Sequence, residues 1–298
     1  MSAPARKPDE NRPLAIVIVL VVTLIFALTD GVAKFLVGRL PPVEVSWLRF
    51  AVSIFVILPI AFYRVGPTAL RATRPGLQLL RGLFFTLCSL SFVIGLTHLT
   101  LADATAINFV WPLLATVFSV IFLKEKVGIR RWSATFIGFC GMLLIVRPGS
   151  SSFQSAAVWP LTTAVLWALA NIITRSLAGQ DRSETTMALS SLIMLGCTSL
   201  LLPFYWVTPT LSEMMLVSVV GIISALGHWI LIIAYERASA SSLAPFAYGQ
   251  LIWATLIGYF GFSTMPDHWV LSGGALIIAS GIYTAHRERV RATQSPTS

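Results

Sequence analysis

Ten apolar runs, each followed by a short polar break, limit this chain to one kind of fold. They fall at about 14–38, 43–63, 75–98, 101–123, 130–146, 155–178, 183–206, 211–234, 240–262 and 267–285. About 20 helical residues at 1.5 Å each cross a hydrocarbon core of about 30 Å, and these runs are of that order. A soluble domain carries about 25% charged residues; this chain has 11%, against 56% hydrophobic. The expectation is an all-α membrane protein with ten transmembrane helices and no sizeable soluble domain. Breaks as short as those at Pro41-Pro42 and Thr100 make successive helices antiparallel neighbours.

The net charge of +9 does not point to nucleic acid, because the cations are spread singly over many loops. They orient the chain instead. With the N-terminus in the cytoplasm, fifteen of the 21 Lys and Arg residues lie in cytoplasmic segments. Only Arg39 and Arg147 lie in outer ones, and Lys34, Arg49, Arg81 and Arg175 fall within or at the ends of spans. Both termini are therefore expected in the cytoplasm, as tails 1–13 and 287–298. The polar start, Met1 to Pro13, leads into a full span with no cleavage pattern, so no removable signal is read. Cys88, Cys140 and Cys197 all lie in apolar runs, which argues against a disulfide framework.

The chain repeats itself. The stretch Leu101 to Val146 opens near Asp103, carries Asn108, Trp111 and Pro112 at its centre, turns at Lys124-Glu125-Lys126 and ends at Arg147-Pro148-Gly149. The same order recurs from Ala240 to Ile282, with Pro245, Gln250 and a break at Met265-Pro266-Asp267. Trp111-Pro112 aligns near Gly249-Gln250 and Gly141 with Gly281, at an offset of about 138 to 140 residues. Phe26-Ala-Leu-Thr-Asp30 through Lys34 likewise matches Trp167-Ala-Leu-Ala-Asn171 through Arg175. The units expected are 14–148 and 155–286. Five spans is an odd number, so the second unit should be inverted relative to the first. Inverted repeats mark many secondary transporters, which hold substrate near the midplane between the halves.

These residues carry a family resemblance over the whole chain. Asp30…Lys34, Trp47-Leu-Arg49-Phe, Ala104 to Pro112, Phe122-Leu-Lys-Glu125, and the Gly141 and Gly281 positions resemble the ten-helix EamA-type exporters of the drug/metabolite transporter superfamily. Within that group the chain looks closest to the YddG-type amino-acid exporters. One departure is Thr264, near where the family usually carries a helix-ending Glu. The resemblance implies alternating access around a cavity between spans 1, 3, 4, 6, 8 and 9.

Ionisable groups inside a bilayer cost a few kcal/mol each and mark function by default. Asp30 lies about 16 residues, or roughly 24 Å, into the first span. Lys34 is one turn beyond it and could pair with it. Asp30 could serve as a proton site, an ammonium site or an outer gate, or the two could form a neutralised structural pair. Asn171 is the inverted counterpart of Asp30, a candidate inner gate. Arg49 and Arg81, toward span ends, are read as interfacial anchors in preference to anion sites. Glu44, Glu213, Asp267 and Asp103 sit at helix starts, where they complement the dipole. Six residues share the expected midplane depth: Asn108, Trp111, Trp167, His228, Tyr248 and Gln250. Aromatic walls with a few amide or hydroxyl groups suit a small zwitterion or aromatic metabolite.

His98, His228, His268 and His286 lack metal spacing, and no phosphate loop or nucleotide fingerprint occurs. The expectation is a transporter, not an enzyme. It should use no cofactor, bind neither metal nor nucleic acid, and work as a monomer in the inner membrane, exporting small metabolites, above all amino acids. A carrier of sugars, nucleotide sugars or drug-like compounds is the alternative within the class, and a membrane-embedded enzyme the alternative outside it.

Overall fold

A computed structural model describes residues 12–124, 128–147, 155–177, 179–237, 243 and 246–294. Pro245, Glu125, Lys126, Pro148 and Gly149, singled out above, lie outside those residues. The described elements are all helices, joined by short turns, with no strand among the described residues. The helices are α1 (Arg12–Leu36), α2 (Pro42–Val65), α3 (Pro75–His98), α4 (Leu101–Asn108), α5 (Trp111–Leu123), α6 (Ile129–Val146), α7 (Val158–Leu177), α8 (Ser183–Leu201), α9 (Leu211–Arg237), α10 (Gly249–Phe262) and α11 (His268–Gln294). Seven helical stretches, with α4 and α5 counted as one, are long and apolar enough to cross a membrane. Shorter apolar helices occupy Trp132–Val146 and His268–Tyr283. Large apolar side chains point outward along the bundle: Phe55 and Phe260 are each 79% exposed. In lipid that exterior needs no cover. This is a multi-pass membrane protein.

Local chemistry sets the helix ends. Proline opens α2 and α3, where the missing N–H is no loss. Gly66 closes α2 at φ +81°, a left-handed turn that a side chain would oppose. The Thr100 hydroxyl accepts the Asp103 amide and caps α4.

The predicted run 101–123 is one stretch in two helices. Pro112 has no N–H to offer the preceding turn. The chain tightens there into three-residue bonds, Val110 N–H to the Ile107 carbonyl and Leu113 N–H to the Val110 carbonyl. A second break falls at Tyr248, before α10, where Leu251 N–H donates to the Tyr248 carbonyl at 3.0 Å. Phe109 and Tyr248 are about one repeat offset apart. The left-handed ends of the two stretches, Lys124 (φ 54°) and Ser263 (φ 52°), keep the same spacing.

Helix partners come in exchange-related sets. Let α1, α2, α3, α4–α5 and α6 correspond in order to α7, α8, α9, α10 and α11. The contact α1–α9 then exchanges with α3–α7, α2–α9 with α3–α8, and α1–α10 with α5–α7; α6–α11 and α2–α8 map onto themselves. The α6–α11 seam is the tightest. A Cβ on Gly141 would sit 2.7 Å from the Gly273 carbonyl oxygen, and one on Gly273 would crowd the Gly141 carbonyl. The Ser280 hydroxyl bonds the Ala134 carbonyl across the same seam. Small residues that bring backbones together are how helices associate where water supplies no driving force.

Candidate functional site

The polar centre begins with Asp30. It lies six residues before the end of α1, half-buried, and one carboxylate oxygen accepts the Gln250 side-chain amide of α10 at 3.1 Å. Arg49 of α2 is close enough for its charge to act on Asp30, though the two are not in contact. The side of α2 that carries Arg49 faces α9, not lipid. The Ser53 hydroxyl spans the Arg49 and Gly221 carbonyls, and a Cβ on Gly221 would sit 2.7 Å from Val52.

Arg81 of α3 approaches the centre from the other end of the bundle. Its Nε donates to the Thr174 hydroxyl of α7 at 2.7 Å. Its Nη1 donates to the Thr186 carbonyl at 3.3 Å and to the Ser190 hydroxyl, both on α8. The guanidinium carbon lies 4.5 Å over the Phe85 ring. Phe85 meets Trp167 edge-on at 5.1 Å, and Trp167 meets Trp111 at 6.3 Å. These rings form one wall. Phe26 of α1 lies against His228 of α9 with ring centroids 4.6 Å apart and planes tilted by 47°, and His228 Nδ1 is 2.9 Å from the Ser224 carbonyl. His228 is exposed, yet both Arg49 and Arg81 act on it electrostatically. Arg49 is thus within electrostatic reach of both Asp30 and His228, and Arg81 within reach of His228, which draws α1, α2, α3 and α9 to one polar centre.

Of the residues expected at this site, Trp111 and Trp167 touch, Gln250 reaches Asp30, and His228 borders the arginines. Tyr248 goes elsewhere. It is 5% exposed, packs on Phe109 at 5.2 Å, and its hydroxyl fills the space left by Gly281. Asn108 is half-buried at the end of α4, with its carbonyl oxygen buried and unpartnered among the described residues. Lys34 does not pair with Asp30. Its ammonium donates to the Leu96 and Leu99 carbonyls at 2.6 and 2.8 Å, closing the C-terminus of α3. Asn171 bonds back to the Trp167 carbonyl at 2.8 Å, within its own helix.

The two arginines read as interfacial anchors are instead turned into the protein. Their depth toward span ends suggested an interface; which way each side chain turns is set by packing and carries no sequence signal. The helix-start acids do join the ends together. Glu44 accepts the Val207 amide at 3.0 Å, Glu213 meets Arg39 at 3.4 Å, and Asp267 meets Arg147 at 2.7 Å while capping Val270. At the other end Asp181 accepts from the Thr73 amide and the Gln78 side chain, both at 2.8 Å. No cluster of His, Cys, Asp and Glu among the described residues could hold a metal ion.

Known proteins share this architecture. A solved protein crystal structure superposes with a TM-score of 0.65 at 20% identity, over 96% of this chain and 100% of that one. The S-adenosylmethionine uptake transporter of Rickettsia felis is 31% identical over 261 residues, 87% of this chain and 88% of that protein. The riboflavin transporter of Vibrio cholerae is 30% identical over 267 residues, 86% and 88% of the two chains. The pseudopaline exporter CntI of Pseudomonas aeruginosa is 27% identical over 262 residues, 86% and 90%. None of the three is named as an amino-acid exporter of the YddG type expected above. The profile of the EamA-like transporter family matches residues 13–147, and the chain is a membrane transporter of that family.

Proposed function

We propose that this transporter is a secondary carrier of small amino-acid-like metabolites, working by alternating access between two inverted five-helix halves in the inner membrane. The ten apolar runs supply the spans, and the Lys/Arg bias puts both termini in the cytoplasm. The exchange-related helix partners and the twin breaks at Phe109 and Tyr248 support the two-fold arrangement. One observation carries the substrate class. A carboxylate and a guanidinium, Asp30 and Arg49, lie within electrostatic reach without closing on each other, and neighbouring helices bring the aromatic rings of Phe26, Trp111 and Trp167. That pair complements a zwitterion with an apolar or aromatic body. S-adenosylmethionine, the named substrate of one relative, is an amino-acid derivative. Export is the direction we propose, and relatives named for uptake and for export make it a quantity to measure.

Purified protein in liposomes tests the reading. Vesicles loaded with unlabelled amino acids or S-adenosylmethionine should accumulate the labelled compound by counterflow; no counterflow with any of them overturns the substrate class. Coupling is tested on the same vesicles. If Asp30 carries a proton, Asp30→Asn flattens the pH dependence of transport, whereas an unchanged dependence removes the proton role.

A further inference from the structure

We infer that Arg49 is the carboxylate-binding residue of the carrier and that Asp30, beside it, receives the ammonium of the same substrate. The inference rests on the transport reading above and assigns its specificity to one side chain.

The argument is an inventory of cations. Arg81 spends its guanidinium on Thr174, Thr186, Ser190 and Phe85. Lys34 is consumed by two carbonyls at the end of α3. Arg39 meets Glu213. Arg49 differs. Its backbone carbonyl is bonded to Ser53, but its guanidinium has no hydrogen-bond or ion-pair partner among the described residues. Nor are its nitrogens among the sealed, unpartnered polar atoms, which include Asn108 Oδ1 and Trp253 Nε1. The guanidinium is therefore neither bonded nor fully sealed, on the side of α2 packed against α9 and away from lipid. A cation placed within a membrane span and left without a partner is costly. The cost is recovered only when something anionic enters.

The anion is a carboxylate. Guanidinium offers a planar fork of N–H donors that matches a carboxylate bidentately. A phosphate dianion would need more cation than one guanidinium, and Asp30 within electrostatic reach would repel it. The same Asp30 favours a substrate that brings its own ammonium. One Asp30 oxygen is taken by Gln250; the other is not sealed. An α-amino acid would offer its carboxylate to one group and its ammonium to the other, exchanging a loose internal attraction for two direct contacts.

The test compares ligands that differ only in the carboxylate. Counterflow of labelled S-adenosylmethionine and of labelled L-methionine into wild-type liposomes is challenged with unlabelled S-adenosylmethionine against its decarboxylated form, and with L-methionine against its carboxamide. The carboxylate member should compete about 10- to 100-fold better, the range expected of charge-assisted hydrogen bonds. Arg49→Gln should erase that preference, and Arg49→Lys, which keeps the charge without the fork, should restore part of it. Equal competition by both members in the wild type overturns the inference while leaving the transport reading intact, as does an undiminished preference in Arg49→Gln. Absence of counterflow with either compound overturns both. The wild-type comparison needs no variant to fold.

Discussion

The seam between α6 and α11 and the centre around Asp30 are built on opposite terms. In the seam every contact is taken: Gly141 and Gly273 touch backbone to backbone, Leu113 fills the space beside Gly138, and Ser280 is bonded across it. In the centre, contacts are withheld. Among the described residues the Arg49 guanidinium has no hydrogen-bond or ion-pair partner, Asp30 uses one oxygen, and His228 is exposed although it lies among helices. Close packing fixes two helices as one body. Open polar groups in lipid persist only where something comes and goes. The seam thus reads as the fixed part of the carrier and the centre as the working part. Substitutions in the seam should change stability and those in the centre transport.

Gly273→Ala should have the largest effect. Its methyl would run into the Gly141 carbonyl and the Ile145 side chain, and a backbone atom cannot swing aside. Overpacking of this kind costs about 3 kcal/mol, read as a fall in thermal unfolding temperature in detergent. A variant as stable as wild type would mean that α6 and α11 slide freely, and the seam would lose its place as the fixed part. Arg81→Ala comes next. It removes three hydrogen bonds to α7 and α8 and a ring contact, but Thr174 and Ser190 keep their own bonds to the Ala170 and Thr186 carbonyls. With no orphan left behind, the net loss is about 2 kcal/mol.

The fold was largely legible because hydropathy reports burial in lipid directly. The run 75–98 coincides with α3, and 43–63 lies within α2. The run 101–123 had the right ends, but its split at Phe109 needed the hydrogen bonds around Pro112 to become visible. The centre was legible only in part. Spacing along one helix puts Lys34 a turn from Asp30, and nothing in that spacing shows that the Leu96 and Leu99 carbonyls would win the ammonium. Tyr248 has the right depth, but depth does not say which way a ring points; Gly281, 33 residues later, leaves the space it fills. Arg49 and Arg81 look alike in sequence. Their difference lies in which hydroxyls α7 and α8 bring near, and that is decided by packing alone.

Asp181 sharpens the comparison at smaller scale. It lies in the turn between α7 and α8, outside the spans. Partial burial acts to raise its carboxyl, and hydrogen bonds from Gln78 and Thr73 outweigh it, holding the group below the usual carboxylate range. Its contribution is therefore complete above about pH 4, the ordinary range of an unfolded Asp, and is lost as the pH falls below that. Asp181→Asn should cost under about 1 kcal/mol at neutral pH and make the acid side of the stability profile shallower. An identical profile would mean that this end of the bundle is not held by the Asp181 contacts.

Arg49→Ala should have the smallest effect on stability and the clearest on transport. In Arg81→Ala the protein loses bonds it has made; in Arg49→Ala it loses a guanidinium that has made none among the described residues. Removing an uncompensated cation from within the bundle relieves a cost, so the unfolding temperature should stay level or rise. Counterflow should fall, because the centre keeps its aromatic side chains but loses its complement to a carboxylate. Stability and transport then move in opposite directions at Arg49, whereas Arg81→Ala lowers stability. If Arg49→Ala instead destabilises the protein as much as Arg81→Ala does, Arg49 is one more structural clamp, and the distinction between a filled seam and a vacant centre fails at the residue on which it most depends.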